Sequence, residues 1–208
     1  MKPLADQYAE ACLPERWTVA GVPLAPFSIG HWQILTRFGS PLVGRAESVG
    51  FPDLAFALFV CSRNASRFAG IGRLPLRWRW WARVMSIRFK RNPVDLRGCI
   101  GLFLLYVEDA AQEIATWQKP GPPGAASMSK SARPKMLELR RVLMSHYGYR
   151  DREVTDMPLG RALWEFTAWA EADGHCWLRS PEDDIRREQL DKDLAELEKV
   201  NGRSPTTN

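Results

Sequence analysis

The chain has 208 residues, a length that fits one domain or two small ones. Hydrophobic residues make up 45% of it, which is enough for a packed core and excludes a largely disordered chain. The longest apolar run, residues 98–107, has 10 residues and is too short to span a bilayer.

The formal net charge of +5 is unevenly distributed along the chain. The stretch from Leu54 to Val94 contains nine basic residues and no acidic one, whereas residues 180–208 contain five basic and eight acidic residues. Such asymmetry predicts an electrostatic partner, which is either another molecule or the acidic end of the chain itself.

The N-terminus, "MKPLADQYAEACLPERW", lacks the apolar core of a signal peptide. The four cysteines are widely spaced and include no CxxC pair: Cys12, Cys61, Cys99 and Cys176. We therefore expect reduced thiols, no disulfide framework and a soluble, cytoplasmic protein.

Local signals define the first predicted elements. "KPLADQYAEACL" is typical of a short helix. A small hairpin is predicted around a turn at Ala20 and Gly21. Ser28 is a suitable N-cap for "IGHWQILTRF", and Gly39 ends that helix.

Two further helices are predicted to be buried. Pro52 opens "DLAFALFVCSR", which is almost wholly apolar. "VDLRGCIGLFLLYVEDAAQEIATW" is a long, mostly apolar helix that ends at Trp117. Between them lie a break rich in Gly and the basic segment "RWRWWARVMSIRFKR", which runs from Arg77 to Arg91.

Residues 118–134, "QKPGPPGAASMSKSARP", are predicted to be a flexible linker or loop because Pro, Gly, Ser and Ala dominate them. They separate a helical core domain, residues 1–117, from a C-terminal helical section, residues 135–208. The fold class expected is mainly α, an irregular helical bundle with at most a small N-terminal β-hairpin.

Three helices are predicted in the C-terminal section. "KMLELRRVLMSHYG" is amphipathic, and Gly148 ends it. The next helix contains Leu159, with Asp156 as its expected cap and Gly174 as its end. The terminal helix, "SPEDDIRREQLDKDLAELEKV", is highly charged and has only a narrow apolar stripe.

The segment from Arg77 to Arg91 has the strongest functional pattern in the sequence. At about 100° per residue, it forms a helix with two opposed apolar faces separated by basic seams. We predict that its apolar residues bind a partner: Trp78, Trp80, Trp81, Val84 and Ile87. We predict an electrostatic role for its cations: Arg77, Arg79, Arg83, Arg88, Lys90 and Arg91.

Three interpretations of this segment were compared. A membrane-surface helix needs one apolar and one polar face, and the second is missing here. Nucleic acid would use Arg for phosphates and Trp for base stacking, but no zinc spacing, RNP-like motif or helix-turn-helix accompanies the segment. A helix packed on one side by its own core and on the other by a protein partner fits both faces. We expect Trp80, Val84 and Ile87 on the outer face, with Trp80 as the anchor of the partner contact.

No catalytic pattern is evident. His31, His146 and the pair His175–Cys176 are read as structural residues, since nothing in the sequence orients a nucleophile or completes a metal-ligand set. There is no P-loop and no complete dinucleotide fingerprint. We expect a protein that is not an enzyme and needs neither cofactor nor metal.

Two parts of the chain resemble small uncharacterised proteins of tailed-phage and prophage gene clusters. "PLAPFSIGHWQILTRFGSPLV" followed by "DLAFALFVCSR" resembles their N-terminal part, and "YGYRDREVTDMPLGRALWEFTAWAEADG" resembles their C-terminal half. Some of these proteins look like tail assembly chaperones, which are helical, non-enzymatic and bind a long hydrophobic partner. The resemblance implies the same properties here and implies no catalytic residue.

The sequence therefore predicts a non-enzymatic protein of phage or prophage morphogenesis that acts in the host-cell cytoplasm. A tail assembly chaperone or adaptor, with a helical partner such as the tape-measure protein, is the first hypothesis. The alternative is a nucleic-acid-binding protein that uses the basic stretch from Leu54 to Val94.

Overall fold

The computed structural model describes residues 3–12, 16–44, 49–68, 76–91, 95–112, 114, 116–118, 135–178 and 181–201. The helices of this part of the chain are α1 (Leu4–Cys12), α2 (Ile29–Arg37), α3 (Phe51–Cys61), α4 (Leu76–Arg91), α5 (Leu96–Ala110), α6 (Lys135–Ser145), α7 (Asp151–Asp156), α8 (Leu159–Ala172) and α9 (Pro181–Asn201). The strands are β1 (Thr18–Val19), β2 (Val22–Pro23), β3 (Thr116–Gln118) and β4 (Cys176–Leu178). Short 3-10 helices lie at Pro41–Val43 and Ala65–Phe68. The predicted mainly α fold class is confirmed.

The predicted N-terminal hairpin is present. Strands β1 and β2 pair antiparallel, with Val19 opposite Val22. The two turn residues, Ala20 and Gly21, have φ angles of 51° and 68°. A two-residue turn with both φ angles positive matches the right-handed twist of the strands that it joins.

Helix ends also follow the sequence signals. The Ser28 side chain accepts a hydrogen bond from the backbone N–H of His31 at 3.3 Å and so caps α2. Glycines with positive φ follow three of the helices: Gly39 after α2, Gly148 after α6 and Gly174 after α8.

The second two-stranded sheet was not predicted. We expected one helix to continue to Trp117, but α5 ends at Ala110 and Thr116–Gln118 forms β3. This strand pairs antiparallel with β4, which lies some 60 residues later in the sequence. A local sequence pattern therefore cannot predict the partner that stabilises it. Gln118, the first residue of the predicted linker, belongs to β3; residues 119–134 lie outside the described residues.

The helix around Leu159 begins later than expected. We predicted Asp156 as its cap, but Asp156 is the last residue of α7, and Pro158 occupies the N-cap position of α8. Met157, with φ −62° and ψ 130°, is extended, as the residue before a proline usually is. The Asp156 carboxylate instead accepts the backbone N–H of Ser66 at 2.8 Å.

Helix α3 lies in the middle of the core. All of its residues from Leu54 to Cys61 are buried, so the helix is covered on every side. The largest fully buried side chains of the surrounding elements include Phe27, Ile29, Leu35, Phe103, Leu143 and Leu159.

Both predicted sections of the chain contribute to this one core. The backbone N–H of Leu159 donates to the carbonyl of Phe27 at 2.8 Å. Arg140 donates to the Gln33 side chain at 3.0 Å and forms a salt bridge with Asp151. The division into residues 1–117 and 135–208 therefore does not separate two cores.

We predict opposite effects for alanine at two helical glycines. A Cβ added at Gly30 would lie 2.5 Å from the Cβ of Ala65 and 2.7 Å from the backbone oxygen of Thr155. Gly30→Ala should therefore lower the free energy of unfolding by about 1–3 kcal/mol through overpacking. At Gly101 a Cβ would meet nothing within 4 Å, so Gly101→Ala should raise it by up to about 1 kcal/mol.

Urea denaturation of both variants measures these changes. If Gly30→Ala were as stable as the unmodified chain, α2 would not approach Ala65 and Thr155 as closely as described.

Candidate protein-binding surface

Helix α4 packs against α3 through aromatic side chains. Phe51 at the start of α3 contacts Phe89 near the end of α4, with ring centroids 5.0 Å apart. Phe56 and Phe59 contact Trp78 near the start of α4 at 5.4 and 5.5 Å. The two helices are therefore antiparallel neighbours, and α4 forms a layer outside the buried α3.

The inner face of α4 is fixed by more than apolar contact. Met85, which belongs to this face, is fully buried. The indole N–H of Trp81 donates to the carbonyl oxygen of Ala55 at 3.2 Å. The guanidinium of Arg63 lies 4.5 Å from the ring centroid of Phe59 and 5.6 Å from that of Trp81, a cation–π arrangement.

These contacts reduce the set of α4 residues that are free to bind a partner. Trp78 and Trp81 were both expected to bind a partner, but the structure places them half-buried against α3. Their role is to anchor α4. Trp80, Val84 and Ile87 lie on the opposite side of the helix and are exposed, with Trp80 leaving 69% of its surface open.

The cations of α4 lie on both sides of this exposed apolar stripe. Those whose side chains are described, Arg77, Arg79, Arg83, Arg88 and Lys90, are all exposed. No salt bridge within the described residues includes any of these five. The side chain of Arg91 lies outside the described set.

The positive charge continues beyond α4. The pKa of Arg63 is lowered, first by partial burial and then by repulsion from Arg67 and Arg77. Arg88 lies over the hairpin turn, where a side chain at Gly21 would begin. The apolar stripe of Trp80, Val84 and Ile87, which we call the outer stripe, is thus bordered by cations that form no salt bridge with an acidic side chain in the described part of the chain.

Other apolar surface was missed by the sequence pattern. Leu102, Leu104 and Leu105 of α5 are exposed, although the sequence led us to expect a mostly buried helix. On α9, Ile185, Leu190 and Leu194 are exposed as well. The narrow apolar stripe of α9 was visible in the sequence, but its lack of cover was not.

Two of the histidines considered for chemistry, His31 and His175, lie in different environments. His31 is buried in the core, where its Nδ1 accepts the N–H of Ser28 at 3.1 Å and its Nε2–H donates to the carbonyl of Arg63 at 2.6 Å. His175 pairs with Asp173 at 2.8 Å on the surface. Among the described residues, no group of three or more His, Cys, Asp or Glu side chains could hold a metal ion.

Burial disfavours the thiolate form of the two buried cysteines, Cys61 and Cys99. It raises the pKa of the Cys61 thiol well above its ordinary value, and a hydrogen bond with Tyr106 opposes this shift. Burial also raises the pKa of Cys99. Because the thiolate is the reactive form, both residues have the character of core thiols, as the sequence led us to expect.

In the part of the chain that is described, no helix is long and apolar enough to cross a membrane. No protein-family model, curated protein or solved structure matches this chain.

We predict a pH-dependent stability that originates at His31. Burial lowers its pKa, and this outweighs the opposing effects of the Arg63 carbonyl and the Asp156 charge. Below about pH 6.5 the unfolded chain binds a proton that the folded chain does not. The free energy of unfolding should therefore decrease as the pH is lowered, by up to about 1.4 kcal/mol per pH unit.

Urea denaturation measures this pH dependence between about pH 5 and pH 7.5, a range that includes the ordinary histidine pKa of about 6.5. The variant His31→Gln keeps a donor for the Arg63 carbonyl but cannot be protonated, so its free energy of unfolding should not show this pH dependence. An unchanged slope in this variant would assign the pH dependence to other groups.

Proposed function

We infer that this protein is a non-enzymatic adaptor that binds a helical protein partner through the outer stripe of α4. The observation that carries this proposal is the large exposed surface of Trp80, next to Val84 and Ile87, on a helix whose other face is anchored to α3. Trp is the residue type most enriched among those that dominate binding energy.

The anchoring of α4 favours tight binding. An interface loses affinity when side chains or whole segments must be ordered on association. Here the Trp81–Ala55 hydrogen bond and the Phe51–Phe89 contact hold the helix before a partner arrives. Trp80 is thus presented on a rigid support, and an apolar helix face of the partner can cover it.

The cations have a different role from the outer stripe. Arg79, Arg83 and Lys90 border it on one side, and Arg77 and Arg88 on the other. Exposed charges at the rim of an interface mainly raise the association rate and select a partner of opposite charge. The proposed partner is therefore a helix with an apolar face and acidic flanks.

The resemblance to phage and prophage proteins supports a role in morphogenesis. Its N-terminal part, residues 23–43 and 53–63, and its C-terminal part, residues 147–174, are distant in sequence but packed together. Leu159 binds Phe27 through the backbone, and Phe27 and Leu159 are both fully buried. We take the partner to be a long helical tail protein such as the tape-measure protein, with this chain acting as its assembly chaperone.

One observation favours nucleic acid as a second candidate. Five exposed cations of α4 have no acidic partner among the described residues, and a phosphate backbone could supply the missing charge. The arrangement is less suitable than for protein, because the exposed apolar stripe divides the cations into two rows. A helix that follows a phosphate backbone would use one continuous basic face.

The test is a binding titration with a tape-measure protein encoded beside this chain's gene. Trp80→Ala should weaken binding at least about 30-fold, the loss of a central aromatic anchor. Its melting temperature should change by less than about 2 °C, because an exposed side chain contributes little to stability. Leu137→Ala, which removes another exposed apolar side chain on α6, is the control and should bind normally.

Arginine variants separate the two candidate functions. Arg79→Ala combined with Arg83→Ala should weaken protein binding by less than about fivefold, since rim charges contribute little affinity. Steeply salt-dependent binding to DNA or RNA that these changes abolish would instead support the nucleic-acid function. Unaltered partner binding by Trp80→Ala would contradict the proposed surface.

A further inference from the structure

Helix α9 is the chemical complement of α4. Its 21 residues include eight acidic and four basic side chains, whereas the 16 residues of α4 include six basic and no acidic ones. All side chains described on α9 are exposed, including the apolar Ile185, Leu190 and Leu194. A helix that leaves apolar residues in water can bury apolar surface in an interface.

The two helices also match in length. At about 1.5 Å per residue, α9 spans roughly 31 Å and α4 roughly 24 Å, so one can cover the other from end to end. Helix α9 makes no extensive contact with the other described elements. Both helices therefore present an apolar surface with charges of opposite sign, and among the described elements neither surface has an extensive contact.

The charges of α9 lie where they can meet those of α4. At about 100° per residue, Asp193 and Glu196 fall between Ile185 and Leu190 around the helix. Arg186 falls on this face too, so the face carries two acidic side chains and one basic one. When this face covers the outer stripe of α4, its two acids lie between the two rows of cations, one of which contains Arg79 and Arg83.

We propose that α9 docks on the outer stripe of α4 in a second copy of this chain. When each copy gives its α9 to the other, the two contacts are related by a twofold axis and form a closed dimer. The arrangement buries Trp80 against the apolar residues of α9 and neutralises charge at the same step. The occupant is a second copy because its α9 has the required chemistry and is present at the same concentration as α4.

This docking uses the face assigned to the partner under the proposed function, but it does not require that partner. A client helix with acidic flanks would compete with α9 for Trp80. The dimer would then be the resting form, in which the exposed tryptophan is covered until the client arrives. Failure of client binding leaves the dimer untouched, so the two proposals fail independently.

The test is a charge exchange between two variants of the full chain. In the first, Arg79→Glu and Arg83→Glu reverse two cations of α4; in the second, Asp193→Lys and Glu196→Lys reverse two acids of α9. Each variant alone faces like charges in both contacts of its dimer, so its dimer dissociation constant should rise at least about tenfold. In an equal mixture both contacts of the mixed dimer are matched, and the dimer should return.

Sedimentation equilibrium at low salt measures the mass of each sample. A third variant, Glu108→Lys with Asp109→Lys, makes the same charge change on exposed acids of α5 and should dimerise like the unmodified chain. Leu190→Ala with Leu194→Ala should also weaken the dimer without altering any charge. Circular dichroism melting should show all variants folded, because every changed side chain is exposed.

The expected result is a dimer for the unmodified chain and the mixture, and dissociation for the α4 and α9 variants alone. A monomeric unmodified chain at concentrations of about 100 μM, where even a weak specific dimer forms, would overturn the proposal. So would a dimer that all the variants retain, since another surface would then join the copies. A monomer in which Trp80 fluorescence responds to the α9 changes would show that α9 docks on its own α4 instead.

Discussion

The segment Leu24–Ser28 is the constraint on which the fold depends, because its Leu24, Phe27 and Ser28 are buried and its backbone polar groups bond to three helices. The N–H of Ala25 donates to the carbonyl of Cys61 at the end of α3, and the carbonyl of Ala25 accepts the Tyr106 hydroxyl of α5 at 2.7 Å. Two residues on, the carbonyl of Phe27 accepts the N–H of Leu159 at the start of α8. Since an unpaired buried backbone group costs about 1–3 kcal/mol, one extended segment fixes three helices together. Ser28 then ends it by capping α2.

The position of α4 follows from this arrangement. Helix α3 is apolar on every side, packs against α2 and the 3-10 helix at Pro41–Val43, and has a further flank covered by α4. Phe56, Phe59 and Ala55 receive Trp78 and Trp81, so the inner face of α4 is specified by the core. Trp80 lies on the other side of the same helix and must point to water. Its exposure is a consequence of how the tryptophans are spaced and is not a local irregularity.

Features that depend on neighbouring residues could be predicted from the sequence, whereas those that depend on distant partners could not. Ser28 and the pair Ala20–Gly21 act within a few residues, and the hairpin and the start of α2 were found correctly. The β3 strand at Thr116–Gln118 is stabilised by pairing with β4. The helical sequence pattern of α5 continues into this strand without a local signal that ends the helix. The two faces of α4 were predictable from helical spacing, and Trp80, Val84 and Ile87 are exposed on the face that was expected to be the outer one. The contact of Trp78 with Phe56, which helps to anchor the inner face, joins residues distant in sequence and was not predicted.

An apolar helix face that is open to water is a potential site of self-association, and the charges of α4 oppose one form of it. The rows containing Arg79 and Arg83 on one side and Arg88 on the other keep the outer stripe narrow, so that like-charged copies of α4 repel each other. Two outer stripes cannot therefore pair directly, although burying Trp80 against Trp80 would be favourable on area alone. Only a surface that combines apolar contact with negative charge satisfies both requirements. The cations thus disfavour a second basic face and favour an acidic one. The apolar residues between them would supply the contact energy.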